Sequence, residues 1–262
     1  MDALFHGLSA LALAVFAWGA FDRVRFWLRP GRAGLILDVD VGATFGSPTG
    51  GLKASPTFRR RSSLRALFWN GLVQRQLWRE SRQRWLMHLS LSWSFAGPFI
   101  IGSGGNVLID LGAPLAKDDH WFVATNDFLG LALLLGVAIA LQRRFISPKP
   151  YVRTVFEDAA ILALLAFLAL SGFLVEATRY LKEGTPDGVA AYAFVGYPLS
   201  RALAPLGADW TRAYDALWWL HGSFGLALVA YLPYSKLFHM FASATTIAIS
   251  APAAQEAAAW PR

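Results

Sequence analysis

The sequence predicts an all-α membrane protein built as a bundle of five transmembrane helices. Its residues are 55% hydrophobic and only 16% charged, whereas a soluble domain carries about 25% charged residues. The apolar residues gather in runs close to the ~20 residues that cross a bilayer core of ~30 Å. Eleven Trp and seven Tyr suit the aromatic belts found at membrane interfaces.

Five apolar runs define the predicted spans. The first has no basic residue before Arg23, whereas a cleavable signal peptide begins with positive charge, so we expect it to be a retained span. The whole chain, 1–262, is expected to form a single membrane domain. The predicted spans cover residues 3–27, 85–111, 121–141, 155–177 and 214–238.

The distribution of Lys and Arg predicts the orientation. Nineteen of them fall on the side of the long loop 29–84, and five on the opposite side. Because basic residues accumulate in cytoplasmic loops, we expect the N-terminus outside and the C-terminus in the cytoplasm. The net charge of +7 is then explained by membrane orientation, and we do not expect nucleic acid as a partner.

The second half of the loop 29–84 has helical periodicity. Leu64, Leu67, Phe68 and Leu72 follow the spacing of one helix face. This pattern predicts an amphipathic helix over Leu64–Trp78, lying at the interface or against a partner. The alternative is a solvated loop with incidental apolar residues.

The chain has no Cys. This excludes disulfides, thiolate metal sites and iron–sulfur ligation within the chain. Any iron–sulfur relay must therefore belong to a partner. The sequence also contains no phosphate-cradling Gly motif and no Ser/His/Asp catalytic arrangement.

The last span carries two histidines, His221 and His239, eighteen residues apart. On a continuous helix they would share one face and lie about 27 Å apart. That separation is too large for one haem but suits two haems, one near each membrane surface. Pro233 between them would make the common face approximate.

A haem b iron in a helix bundle is held by imidazoles from neighbouring helices. His88, near the cytoplasmic start of the second span, is the best partner for His239 on depth. Arg82 and Arg84 would then be able to bind haem propionates, although the positive-inside rule explains them equally well.

The ligand opposite His221 is left open. His6 on the first span and His120 at the mouth of the third lie at suitable depth. Either histidine could instead be an ordinary interfacial or loop residue. Two further alternatives are a five-coordinate haem on His221 and the absence of an outer haem.

The run from His221 to Met240, HGSFGLALVAYLPYSKLFHM, resembles the last helix of the gamma-subunit family of respiratory nitrate reductases. In that family two haem-ligand histidines at this spacing flank a Pro followed by Ser and a basic residue. The five-span, N-out plan is similar too. The family pairs its second span with its fifth to hold one haem near each surface.

The rest of the chain is similar to one branch of that family, the cytochrome b subunits associated with heterodisulfide reductase-like iron–sulfur proteins. This branch includes subunits of sulfite-reducing and electron-transfer-flavoprotein-linked complexes. The similar stretches are Gly71–Arg79, Arg84–His88, Asp127–Gly130, Arg143–Arg144 and Gly172–Glu176.

One departure from the family concerns the outer haem. The nitrate reductase subunits carry a second His ten residues after the first on span 2, where this chain has Pro98, which cannot ligate iron. The resemblance therefore implies the inner haem of His88 and His239. It leaves the outer haem at His221, and a count of one or two haem b groups, open.

The resemblance implies a quinone-linked electron-transfer subunit in the cytoplasmic (inner) membrane of a prokaryote. Electrons would pass between quinone or quinol and a cytoplasmic iron–sulfur partner of the heterodisulfide reductase type. Candidates for exchanging protons with the quinone are Lys236, Glu176 and Asp127. Lys236 could instead snorkel, and Glu176 could pair with Arg179.

Two rival interpretations remain open. The first is a haem-free membrane scaffold or transporter in which the histidines are structural. The second keeps the haem but makes the chain the cytochrome b anchor of a nitrate reductase proper.

Overall fold

The computed structural model describes residues 2–27, 64–98, 100–101, 118–148, 155–186 and 188–247. Within these ranges the chain contains helices and no strand, which confirms the all-α prediction. We number the main helices in chain order. They are α1 (Asp2–Trp27), α2 (Arg82–Pro98), α3 (His120–Leu141), α4 (Phe156–Glu183), α5 (Gly196–Leu203), α6 (Trp210–Tyr231) and α7 (239–247).

Four helical stretches are long and apolar enough to cross a membrane. They correspond to the predicted spans 1, 3, 4 and 5, and with them the chain is a multi-pass membrane protein. The predicted span 85–111 is only partly described, because α2 ends at Pro98 and residues 102–117 lie outside the described ranges. The second span, the total of five spans and the orientation therefore stay predictions. The four stretches are Ala3–Arg25, His120–Ile146, Phe156–Glu183 and Trp210–Tyr234.

Helix α4 continues to Glu183, beyond the predicted end at residue 177, because its terminal basic residues have partners. Arg179 forms a 2.8 Å ion pair with Asp118. Lys182 forms a 3.0 Å ion pair with Asp215 of α6. Paired charges let the helix extend past the apolar run that predicted it.

The start of α4 is fixed by Asp158. Its Oδ2 atom accepts hydrogen bonds from the backbone N–H of Val155 at 3.2 Å and from Arg144 at 2.8 Å. The Asp158 side chain is only 8% exposed, so both bonds are largely shielded from water. A carboxylate in the first turn also suits the positive end of the helix dipole.

The chain divides into two compact units. One contains Met1–Arg79 and Leu226–Arg262, and the other contains Glu80–Gly225.

In the second unit α2 packs on α3, α3 on α4, and α5 on α4. Close approach of α2 and α3 depends on Gly136, where a Cβ would lie 2.9 Å from the Leu91 side chain and 3.1 Å from its backbone nitrogen. The segment before α5 is anchored by a buried cluster of Val123, Tyr180, Val189 and Ala193.

In the first unit α1 is exposed over most of its surface, and Ala12 and Gly19 are its buried positions. Gly19 allows α1 to approach Pro233 and Tyr234, since a Cβ there would lie 2.8 Å from both side chains. Exposed leucines elsewhere on α1 suit contact with lipid.

The predicted helix Leu64–Trp78 is present only in pieces. Residues 64–66 are α-helical, Leu67–Leu72 form a π-helical turn, and a new helix runs over Arg75–Glu80. The break lies at Gln74, whose φ of 56° is a left-handed conformation. Five large apolar side chains of this stretch are exposed: Leu64, Phe68, Trp69, Leu72 and Trp78. A continuous amphipathic helix is not observed. Residues 29–63 of the predicted loop lie outside the described ranges.

The predicted span 214–238 is not one continuous helix. Helix α6 ends at Tyr231 and is followed by 3-10 turns at Leu232–Tyr234 and Lys236–Phe238. Between them Ser235 is extended, with ψ of 170°. Pro233, which has no N–H to donate, lies at this interruption. The helical arithmetic that put both histidines on one face therefore does not apply.

Candidate functional site

His221 lies on α6 against a polar position of α4. Its Nδ1 atom is 2.9 Å from the hydroxyl oxygen of Ser171, which is 3% exposed. The next residue, Gly172, has no side chain, and a Cβ there would lie 3.4 Å from Cε1 of the imidazole. The Nδ1–Cε1 edge of the ring thus faces α4.

The Nδ1 atom of His239 also has a polar neighbour, which here is a backbone carbonyl. Its Nδ1 atom lies 2.7 Å from the carbonyl oxygen of Lys236. A carbonyl can only accept, so Nδ1 carries a hydrogen in this contact. Metal-binding histidines usually donate their second ring N–H in this way. The side chain of His239 is exposed.

His88 is half-buried on α2, and its backbone carbonyl accepts a 2.6 Å hydrogen bond from Ser92. His88 belongs to one compact unit and His239 to the other, and their pairing stays a prediction. Arg84 forms a 3.0 Å ion pair with Glu80. Arg82 is exposed at the start of α2, and the propionate role of both arginines is likewise a prediction.

The two candidates for the ligand opposite His221 have different surroundings. His120 is the first residue of α3, and its ring stacks on Tyr192 with centroids 4.2 Å apart and an angle of 5°. His6 is exposed on α1. The aromatic stack gives His120 a packing role at the start of α3.

The two candidate carboxylates meet beside the start of α5. Asp127 is fully buried, and its Oδ2 accepts a 2.7 Å hydrogen bond from the backbone N–H of Val195. Glu176 lies within hydrogen-bonding reach of Asp127 and accepts a 2.9 Å bond from the Tyr180 hydroxyl. The neighbouring Gly196 makes room for the Glu176 carboxyl.

The alternative pairing of Glu176 with Arg179 is not the main contact of either residue, because Arg179 forms its ion pair with Asp118. Lys236, the third candidate, is exposed and belongs to the 3-10 turn that precedes His239. Of the three candidates, the structure therefore brings Asp127 and Glu176 together.

Sequence reasoning missed Ser171 as a neighbour of His221. The signal was a hydroxyl in the middle of an apolar run, since polar residues inside membrane helices commonly bond across to another helix. It also missed Val195 and Gly196, whose backbone positions no side-chain motif marks.

Among the described residues no group of three or more His, Cys, Asp or Glu side chains could hold a metal ion by itself. A haem iron needs only two axial ligands from the protein, so candidate ligands are judged by the environment of each imidazole.

Residues 111–252 match the family described as nitrate reductase gamma subunit. The chain belongs to this family. The match confirms the family predicted from the sequence. It covers the part of the chain that contains His120, His221 and His239, and it begins after His88.

Curated proteins extend the similarity over most of the chain. It is 25% identical over 253 residues to a subunit of the dihydromethanophenazine:CoB–CoM heterodisulfide reductase of Methanosarcina thermophila, covering 90% of this chain and 86% of that protein. For the Methanosarcina mazei protein of that name the identity is 25%, covering 92% and 90%.

An EtfAB:quinone oxidoreductase of Syntrophomonas wolfei is 25% identical over 259 residues, which is 92% of this chain and 32% of that longer protein. No solved structure gives a significant match to the chain.

Proposed function

We propose that this chain is the haem b-containing membrane subunit of a respiratory complex. It passes electrons between the membrane quinone pool and a cytoplasmic iron–sulfur partner. The observation that carries the proposal is the environment of His221, whose Nδ1 lies 2.9 Å from the Ser171 hydroxyl, as expected of an imidazole that binds iron through its other nitrogen. Membership of the nitrate reductase gamma subunit family supports it.

The residues fit axial ligation of haem. His221 and His239 each have Nδ1 next to a buried hydroxyl or a backbone carbonyl, the arrangement expected of imidazoles that bind iron through Nε2. His239 would hold the inner haem together with His88. When bound, haem b would carry single electrons between the quinone and the partner subunit.

A second haem would use His221, and the count of one or two haem groups depends on its opposite ligand. His120 is a weak candidate because its ring is stacked on Tyr192. His6 stays a candidate on depth alone. A five-coordinate haem on His221 needs neither of them.

The Asp127–Glu176 pair is the better-supported place for exchanging protons with the quinone. Along α4, Glu176 lies one helical turn from Gly172, the residue against the imidazole edge of His221. Four residues of helix correspond to about 6 Å of rise. Proton exchange and electron exchange would thus take place close together, as quinone chemistry requires.

The iron–sulfur partner follows from composition and from relatives. The chain has no Cys to ligate a cluster, and several relatives are named as subunits of heterodisulfide reductases. We place the partner on the basic side, with the N-terminus outside, in the inner membrane of a prokaryote. Arg143 and Arg144, in the turn that follows α3, belong to that side.

A reduced-minus-oxidised spectrum of the purified chain tests the proposal. We expect a b-type α band that responds to a quinol analogue. A chain with no such band would be a haem-free scaffold or transporter. Identifying the soluble subunit that co-purifies separates a heterodisulfide reductase-type complex from a nitrate reductase proper.

A further inference from the structure

We propose that Ser171 is a positioning residue that fixes the orientation of the His221 imidazole for binding haem iron through Nε2. The inference rests on the proposed function, because it concerns a haem ligand. It adds to that function a residue that takes no direct part in ligation but determines how firmly one haem is held.

The Ser171 hydroxyl lies between an imidazole and a backbone carbonyl. Its oxygen is 2.9 Å from Nδ1 of His221 and 3.3 Å from the carbonyl oxygen of Leu168 in the preceding turn. The imidazole of His221 also lies within hydrogen-bonding reach of the Leu168 backbone. One turn of α4 therefore presents two polar groups to the ring.

The two hydrogen-bond contacts of Ser171 differ in length, and the shorter one is to His221. Elsewhere in the same unit, Thr178 and Ser200 bond to a carbonyl of their own helix at 2.7 Å. At 3.3 Å the bond from Ser171 to Leu168 is much longer, and O–H···O bonds weaken beyond about 3.0 Å. The better-formed contact of Ser171 is therefore the one to the imidazole.

Shielding makes this contact effective. Ser171 is 3% exposed, and water has little access to compete for its contact with Nδ1. A Cβ at Gly172 would lie 3.4 Å from Cε1, so the edge of the imidazole ring also lies close to this position of α4. Together they limit rotation of the imidazole, and a fixed ring keeps Nε2 aimed at one point.

Loss of the hydroxyl should weaken the haem at His221 without unfolding the protein. Outer-shell partners of metal-binding histidines typically contribute about 10-fold to 100-fold in affinity. We expect Ser171→Ala to release that haem at least about tenfold faster, to shift its redox midpoint, and to change its low-spin EPR signal.

The matched control is Ser200→Ala. Ser200 is equally buried, at 3% exposure, and its hydroxyl bonds to Tyr197 of its own segment. Both variants are made in the full chain with its complex. Haem transfer to an excess of a haem-scavenging globin gives the rate of loss, and His221→Ala identifies the haem component that belongs to His221.

Faster loss of that component in Ser171→Ala, unchanged loss in Ser200→Ala, and recovery in Ser171→Thr are the results expected. If Ser171→Thr does not fold, the comparison of the two alanine variants decides. Identical haem behaviour in the two alanine variants overturns the inference, as does equal weakening of every haem. A wild-type chain without haem overturns the proposed function instead, and the two failures are distinguishable.

Discussion

Asp127 Oδ2 accepts a 2.7 Å hydrogen bond from the backbone N–H of Val195. This bond ties the middle of the α3 face to the turn that begins α5, at a position with no solvent exposure. The Asp127 carboxyl therefore has a structural contact on one oxygen, and the side chain of Glu176 lies close to it.

Asp127→Ala should destabilise the protein, because it leaves the buried N–H of Val195 without an acceptor. An unsatisfied buried donor costs about 1–3 kcal/mol. Asp127→Asn keeps an acceptor and should lose less. Unfolding in detergent with increasing denaturant gives the difference, and equal stability of the two variants would show that the bond to Val195 is unimportant.

Glu176→Gln should slow quinone turnover while haem content stays at the wild-type level. The amide keeps the shape of the side chain but cannot exchange a proton, and such groups contribute about a hundredfold or more to rate. The assay follows oxidation of a short-chain quinol analogue. Glu183→Gln, at the exposed end of the same helix, is the control, and equal rates in both variants would remove Glu176 from the quinone site.

Gly136→Ala should separate α2 from α3. The added Cβ would lie 3.1 Å from the backbone nitrogen of Leu91, which cannot move aside as a flexible side chain can. At Gly225 of α6 nothing lies within 4 Å of a Cβ. There the same change should be neutral or stabilise by about 0.5–1 kcal/mol, the ordinary helix preference for Ala. Thermal unfolding of the two variants side by side measures the contrast.

His88→Ala and His239→Ala should each remove the same haem, since either change deletes one axial ligand of the inner site. His221→Ala should leave that haem in place. The measurement is the low-spin haem spectrum of each variant. A low-spin spectrum unchanged in both His88→Ala and His239→Ala would rule out their pairing.

The sequence predicted the elements that depend on local composition. The apolar runs of α3 and α4 required no tertiary information, and membrane helices satisfy their backbone groups internally. Their ends were harder to predict, because Arg179 and Lys182 become compatible with a helix only through Asp118 and Asp215, which are distant in the chain.

The last span shows what the sequence pattern did not predict. Pro233 was visible in the sequence, but Pro kinks some helices and ends others, and the extended conformation at Ser235 could not be read from the pattern. The contact of Ser171 with His221 joins residues fifty positions apart. Single-sequence periodicity reports which residues share a helix face, not which helix lies opposite.

The ratio of haem b to polypeptide tests the central claim most directly. It is measured by the pyridine haemochrome method in the purified wild-type chain and in a variant with His88, His221 and His239 all changed to Ala. We predict one or two haem b per wild-type chain and none in the triple variant. A wild-type chain without haem b, or a triple variant with as much haem as wild type, would contradict the assignment.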